Sequence, residues 1–204
     1  MVGATQIFML FFLTLGPLKL LGPFARQTRD LSPAALRGVA LRAFAVGLLA
    51  VLAGGYLGSL LAAKWSVSVP AMELTAGLIL VLVALQLVMA PYEATAPAPE
   101  PLPATPMAAA LRLTFPLVVT PYGIAALIAL LSSAVHPTLI RATYGILIIV
   151  MILNLLAMLF VREIMRGALL FVLQVLGAVL GVLQVGLGVQ LIIRGLRNLG
   201  TLPG

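Results

Sequence analysis

Apolar residues run along this chain in blocks of about twenty, each long enough to cross a hydrocarbon core of roughly 30 Å as a helix. Six blocks are separated by short polar stretches. The first covers about Thr5 to Ala25, and the second follows "SPAALR" and runs to about Ala63. The third begins near Val69-Pro70 and ends near Ala90, and the fourth covers about Met107 to Ser132. The fifth follows "HPTLIR" and ends near Val161, and the sixth runs from about Gly167 to Ile193. Ser32-Pro33 and His136-Pro137 mark helix starts, because proline in the first turn gives up an N–H that has no partner there. His136, beside that proline in a short loop, reads as a solvated or capping residue.

Between the third and fourth blocks lies "APYEATAPAPEPLPATP", with six prolines in residues 91–106. A segment with so little apolar bulk cannot offset its ordering entropy by burial, so it reads as a flexible, partly polyproline tether. It divides the chain into residues 1–90 and 107–204. The two parts match at an offset of 104 residues: Phe11 falls on Phe115, Pro17 on Pro121, Pro33 on Pro137, Arg37 on Arg141, Gly77 on Gly181 and Gln86 on Gln190. Three spans per unit is an odd number, so the second copy enters the membrane from the opposite side. The expected fold is an all-α integral membrane protein of six helices, arranged as two inverted three-helix repeats.

The first block carries "LGPLKLLGPF" at residues 15–24, with two Gly-Pro pairs and a lysine. Gly16-Pro17 has its counterpart in Thr120-Pro121, and the fourth block adds Pro116 and Gly123 in "FPLVVTPYG". Proline removes a backbone donor and blocks the carbonyl four residues back. Unwound backbone at membrane depth is tolerated only where protein or a water-filled cavity satisfies it. Helices one and four are therefore expected to be broken. Matched interruptions in two halves point to a substrate site, where half-helix N-termini suit a carboxylate. The expected substrate-binding residues are Thr14, Gly16, Pro17, Lys19, Thr120, Pro121, Tyr122 and Gly123.

Charge inside a span is expensive and often functional. Lys19 can bind an anion, pair with Glu73 or snorkel to the interface. Glu73, one turn into the third block, is the only carboxylate inside a span, and it is a candidate for proton coupling or an interfacial residue. Asn154, Gln86 and Gln190 suit interhelical hydrogen bonds worth about 1 kcal/mol each, and with Glu73 they form the expected coupling or gating set. Gly54-x-x-x-Gly58 and Gly177-x-x-x-Gly181 let helices approach closely, which fits internal packing or a homo-oligomer.

Composition fits this picture. Of 204 residues 63% are hydrophobic and 8% charged, against roughly 25% charged in soluble domains. The sequence pI near 10.9 comes from Lys and Arg spread over helix ends, which reads as topological charge rather than a nucleic-acid surface. With no cysteine in the chain, disulfides and thiolate chemistry are excluded. No nucleophile–base pair, metal cluster, phosphate loop or dinucleotide motif stands out, so neither an enzyme nor a cofactor is expected. No Lys or Arg precedes Lys19, so the first block reads as a retained span rather than a signal peptide. Seven arginines (26, 29, 37, 42, 112, 162 and 166) lie near the loops of one face, and Lys64, Arg141, Arg194 and Arg197 near the other. The positive-inside rule puts the first set in the cytoplasm and both termini outside.

The chain resembles the MarC family of six-span bacterial inner-membrane proteins, which includes the SnatA-type amino-acid transporters. The family's first span carries a pattern like Asp-Pro-Leu-Gly-Asn-x-Pro, and "GPLKLLGPF" keeps Pro17 and Leu18. "VSVPAMELTAGLIL" is similar to the family's "ISLPAFRIAGGILL", and "FPLVVTPYGIAAL" to a shortened "FPLAIPLIAGPGAI". The final block, "LLFVLQVLGAVLGVLQVGLGVQLIIRGL", is similar to the family's last helix. The resemblance implies a transporter for glycine, alanine and other small neutral amino acids, driven by a proton or sodium gradient. Against the family pattern, Gly16 replaces an aspartate, Lys19-Leu20 a Gly-Asn, Glu73 an arginine and Thr120-Pro121-Tyr122 a Gly-Pro-Gly. These exchanges suggest that Lys19 and Glu73 form a rewired pair. The expected partners are thus a small-molecule substrate, a coupling ion and membrane lipid. A scaffold that binds partner helices through its glycine faces is the alternative.

Overall fold

The computed structural model describes residues 3–89, 102–103, 105–134, 136–166 and 168–201, with the side chains of 86–89, 168–170 and 173–174 outside that description. The proline-rich tether of residues 91–106 falls largely outside the described residues. All regular elements among the described residues are helical: α1 (Ala4–Thr14), α2 (Pro17–Gln27), α3 (Pro33–Lys64), α4 (Val69–Met89), α5 (Pro106–Leu113), a π-type turn (Thr114–Val118), α6 (Pro121–Ser132), α7 (Pro137–Leu159), α8 (Val161–Ile164) and α9 (Ala168–Asn198).

Helix starts follow local chemistry. Ser32 caps α3 by accepting the Ala35 N–H at 3.2 Å, and Pro33 fills the first helical position. Pro137 opens α7 in the same way, but exposed His136 gives no side-chain cap. Four helical stretches are long and apolar enough to cross a membrane: Ala4–Gln27, Pro33–Lys64, Pro137–Leu159 and Val175–Asn198. A fifth is the pair Pro106–Val118 and Pro121–Ser132, taken as one span bent by 61°. Val69–Leu85 is a shorter apolar helix. Thus all six expected blocks are helical, but four or five, not six, pass as crossing helices.

Two packing relationships set the interior. Helix α3 lies against α5 and α6, while α7 lies against α1 and α2. Helix α4 runs antiparallel to α9: Gly195 meets Pro70 and Leu74 near the start of α4, and Gly188 meets Gly77 and Val81 farther along it. Lipid supplies no hydrophobic drive between helices, so close contact must hold them together. Glycine makes that contact here. A Cβ on Gly77 would lie 2.6 Å from the Gly188 carbonyl oxygen, and one on Gly188 would lie 2.8 Å from that of Gly77. Gly54 and Gly58 of α3 receive Ile124 and Ile128 of α6, so this glycine pair serves internal packing. Gly177 faces open space. Fully buried Phe11, Phe24, Leu127, Leu147 and Met151 fill the centre between α1, α2, α6 and α7.

Candidate functional site: the crossing of two interrupted helices

The first interruption is built by three residues. Helix α1 stops at Leu15, whose N–H still donates to the Phe11 carbonyl at 2.7 Å. Gly16 is extended (φ −79°, ψ 175°), and Pro17 opens α2. Proline cannot donate to the preceding turn and pushes the residue before it out of the helical region. A side chain is disfavoured at that residue, because a Cβ on Gly16 would collide with the Phe12 carbonyl and force it to shift. The second Gly-Pro pair behaves differently: Pro23 stays inside α2.

The second interruption is longer. Phe115 leaves the helical region (φ −124°, ψ 127°), the Phe115–Pro116 bond is cis, and Val119 and Thr120 are extended. Pro121 then opens α6, with Thr120 as its cap. The Thr120 hydroxyl accepts the Gly123 N–H at 3.1 Å. It satisfies one of the donors that every helix N-terminus leaves open.

The two interruptions touch. The Thr120 hydroxyl donates to the Thr14 carbonyl at 2.9 Å, while the Thr14 hydroxyl is used within its own helix, on Leu10, at 2.7 Å. The Leu15 carbonyl accepts the amide of Asn154 from α7. Asn154 is fully buried, and its Oδ1 has no partner among the described groups. The Leu15 side chain lies on Gly123, where a Cβ would displace it. Beyond the breaks, Lys19 Nζ lies 3.2 Å from the Tyr122 hydroxyl oxygen and 4.4 Å from the centre of its ring. A cation over a tyrosine face is attracted by the ring quadrupole. Thr14, Gly16, Pro17, Lys19, Thr120, Pro121, Tyr122 and Gly123 are therefore grouped around one crossing. Asn154, expected as a coupling or gating residue, belongs to the same group.

Glu73 and Gln190 do not. They line a pocket between α1, α4, α6 and α9, together with Gln6, Ala126, Ser133 and Arg194. Its empty volume is about 640 Å³, counting the open mouth. Glu73 accepts from the Asn198 amide at 2.8 Å. The expected Lys19–Glu73 pair is thus corrected: Lys19 rests on Tyr122 and Glu73 on Asn198. The reason is the break. Glu73 accompanies α1, before the interruption, whereas Lys19 belongs to α2, beyond it. The Gln86 side chain lies outside the described residues.

Sequence reasoning missed Leu15, which acts through its carbonyl, and Gln184. Gln184 is fully buried in α9 and donates to the Leu80 carbonyl at 3.3 Å. Its signal was a second glutamine in "LQVGLGVQ", six residues before Gln190.

A family model for MarC family integral membrane proteins matches residues 2–199, nearly the whole chain. The chain belongs to the MarC family. Neither a curated protein nor a solved structure gives a match. Family membership and several long apolar helices make this MarC-family chain a multi-pass membrane protein. Two of the four segments that carry the resemblance, "GPLKLLGPF" and "FPLVVTPYG", meet at the crossing.

Proposed function

We propose that this MarC-family chain is a secondary transporter of the bacterial inner membrane. It moves small neutral amino acids of the glycine and alanine class, or similar small metabolites, by alternating access coupled to a proton or sodium gradient. The observation that carries the reading is the meeting of two interrupted helices at Thr14 and Thr120, 2.9 Å apart. Discontinuous helices that converge in this way mark substrate sites in carriers built from repeats.

The local chemistry favours a carboxylate. Gly16 gives α2 no side-chain cap, so its first-turn amides remain open to a ligand. Lys19 lies in that same turn, at the positive end of the helix dipole, where a cation is unfavourable unless an anion accompanies it. The unpartnered Asn154 Oδ1 offers an acceptor close by for the substrate's ammonium.

Three features support six spans in two inverted repeats, residues 1–90 and 107–204. The breaks fall at Gly16 and Thr120, 104 positions apart. The packing of α3 on α5 and α6 is mirrored by that of α7 on α1 and α2. Gln184 bonds Leu80, again 104 positions away, as expected where a pseudo-two-fold axis passes between antiparallel α4 and α9. In this arrangement both termini share one face, which the arginine bias of the loops makes periplasmic. The scaffold alternative loses one of its two glycine faces, because Gly54 and Gly58 are filled by the chain's own isoleucines, while Gly177 faces open space.

Counterflow tests the proposal. Labelled alanine should accumulate in proteoliposomes preloaded with unlabelled alanine or glycine, saturably and only with protein present. Folded, inserted protein that gives no accumulation with any small-metabolite preload would overturn it.

A further inference from the structure

The pocket between α1, α4, α6 and α9 is separate from the crossing, and its lining is chemically specific. One carboxylate, Glu73, and one guanidinium, Arg194, enter it from helices α4 and α9. They form no ion pair with each other, and Glu73 spends one oxygen on the neutral Asn198 amide. The rest of the wall is uncharged: the amides of Gln6 and Gln190, the hydroxyl of Ser133, and alanines and leucines. A carboxylate and a guanidinium that do not pair with each other match a ligand with an ammonium and a carboxylate, and the alanines beside them leave space for a small side chain. A dicarboxylate or a diamine would leave one charge unmet.

The pocket's place gives it a role. It runs beside Leu10 of α1 and Ala126 of α6, the halves that lead to Thr14 and Gly123 at the crossing. Gln6, Glu73, Ser133 and Arg194 lie toward the helix ends, on the face where α1 and α4 begin and α6 and α9 end. On the far side of the breaks, Leu20, Phe24, Ala110 and Leu113 are packed shut.

We infer that this pocket is a second, peripheral binding site for a small zwitterionic amino acid, with Glu73 holding the ammonium and Arg194 the carboxylate. It acts as a vestibule from which the ligand passes to the crossing. Its role as a vestibule rests on the carrier reading; its binding of a zwitterion does not.

The chain has no cysteine, so Ser133→Cys places a unique thiol in the wall. The rate of its reaction with a small uncharged methanethiosulfonate is measured on purified protein in lipid nanodiscs. Alanine and glycine should slow labelling, whereas alaninamide and propionate, each lacking one charge, should protect poorly. Glu73→Gln or Arg194→Gln should weaken protection by at least about tenfold, the scale of a charge-assisted hydrogen bond. Ala129→Cys repeats the measurement if Ser133→Cys folds poorly. No protection by either amino acid overturns the site, as does protection that survives both substitutions or is matched by alaninamide and propionate. Protection without counterflow would leave this site standing and remove the carrier, and counterflow without protection would do the reverse.

Discussion

The hydroxyl of Thr120 bridges two interrupted helices, donating to the Thr14 carbonyl at 2.9 Å while accepting the Gly123 N–H at 3.1 Å. One side chain thus caps its own half-helix and satisfies the frayed end of the other. It ties the two interruptions together, and any motion that separates the two helices must release it. A serine keeps both bonds and a valine keeps only the shape. Thr120→Val should lower stability by about 1–3 kcal/mol, through a lost cap and a stranded buried acceptor, and should abolish counterflow. Thr120→Ser should retain both. Equal counterflow in the two variants would show that the bridge has no part in the cycle.

Gly16 is held by sterics rather than by backbone conformation, since its φ of −79° suits any residue. Gly16→Ala should cost on the order of 1–3 kcal/mol, as overpacking against a fixed carbonyl does. Gly16→Asp, which restores the family's residue, should be no better. Gly145→Ala, at an exposed glycine of α7 with nothing within 4 Å of an added Cβ, should be neutral or stabilising by up to about 1 kcal/mol. Thermal unfolding in detergent ranks the three.

The α4–α9 contact makes a second steric test. Gly188→Val should separate the helices, because the new side chain meets the Gly77 carbonyl. Gly186→Val, two residues away and facing open space, should not. A limited-proteolysis or melting comparison that failed to distinguish the two would contradict this crossing.

What could be read in the sequence was local. Pro33 and Pro137 fixed helix starts, and Gly16-Pro17 and Thr120-Pro121 fixed breaks, because proline acts on its own turn. Gly22-Pro23, a pair of the same kind, makes no break. There α2 continues, because the missing donor costs a single bond and the helix on either side remains packed through Leu21 and Phe24. Longer-range pairings were harder. Glu73 and Lys19 are the natural pair by charge count, but a break between α1 and α2 puts them on different sides of the crossing. Arg194, read only as a topological charge, became a pocket residue through the antiparallel packing of α4 and α9. No local pattern encodes that register.

Lys19 and Tyr122 make a test of carboxylate recognition. Lys19→Arg keeps the positive charge and should leave alanine counterflow within a few-fold of the original protein, whereas Lys19→Met should raise the half-saturating alanine concentration by about tenfold or more. Tyr122→Phe keeps the ring and so most of the cation–π attraction, and its effect should be smaller than that of Lys19→Met. An unchanged half-saturating concentration in Lys19→Met would show that Lys19 has only a packing role.

The asymmetry of the two sides of the crossing gives the sharpest test of alternating access. Gln190 lines the open pocket, whereas Leu21, in the half-helix beyond the break, is 6% exposed. At rest, an impermeant thiol reagent on the face bearing the termini should label Gln190→Cys rapidly and Leu21→Cys hardly at all. During counterflow, a carrier that alternates must expose the second half of its crossing to the other face. Leu21→Cys should then become reactive from that face, and Gln190→Cys should slow. Leu21→Cys that stays inert while alanine exchanges would mean that the helices do not separate beyond the breaks, and transport would need a route that leaves α2 packed against α7 and the π-type turn.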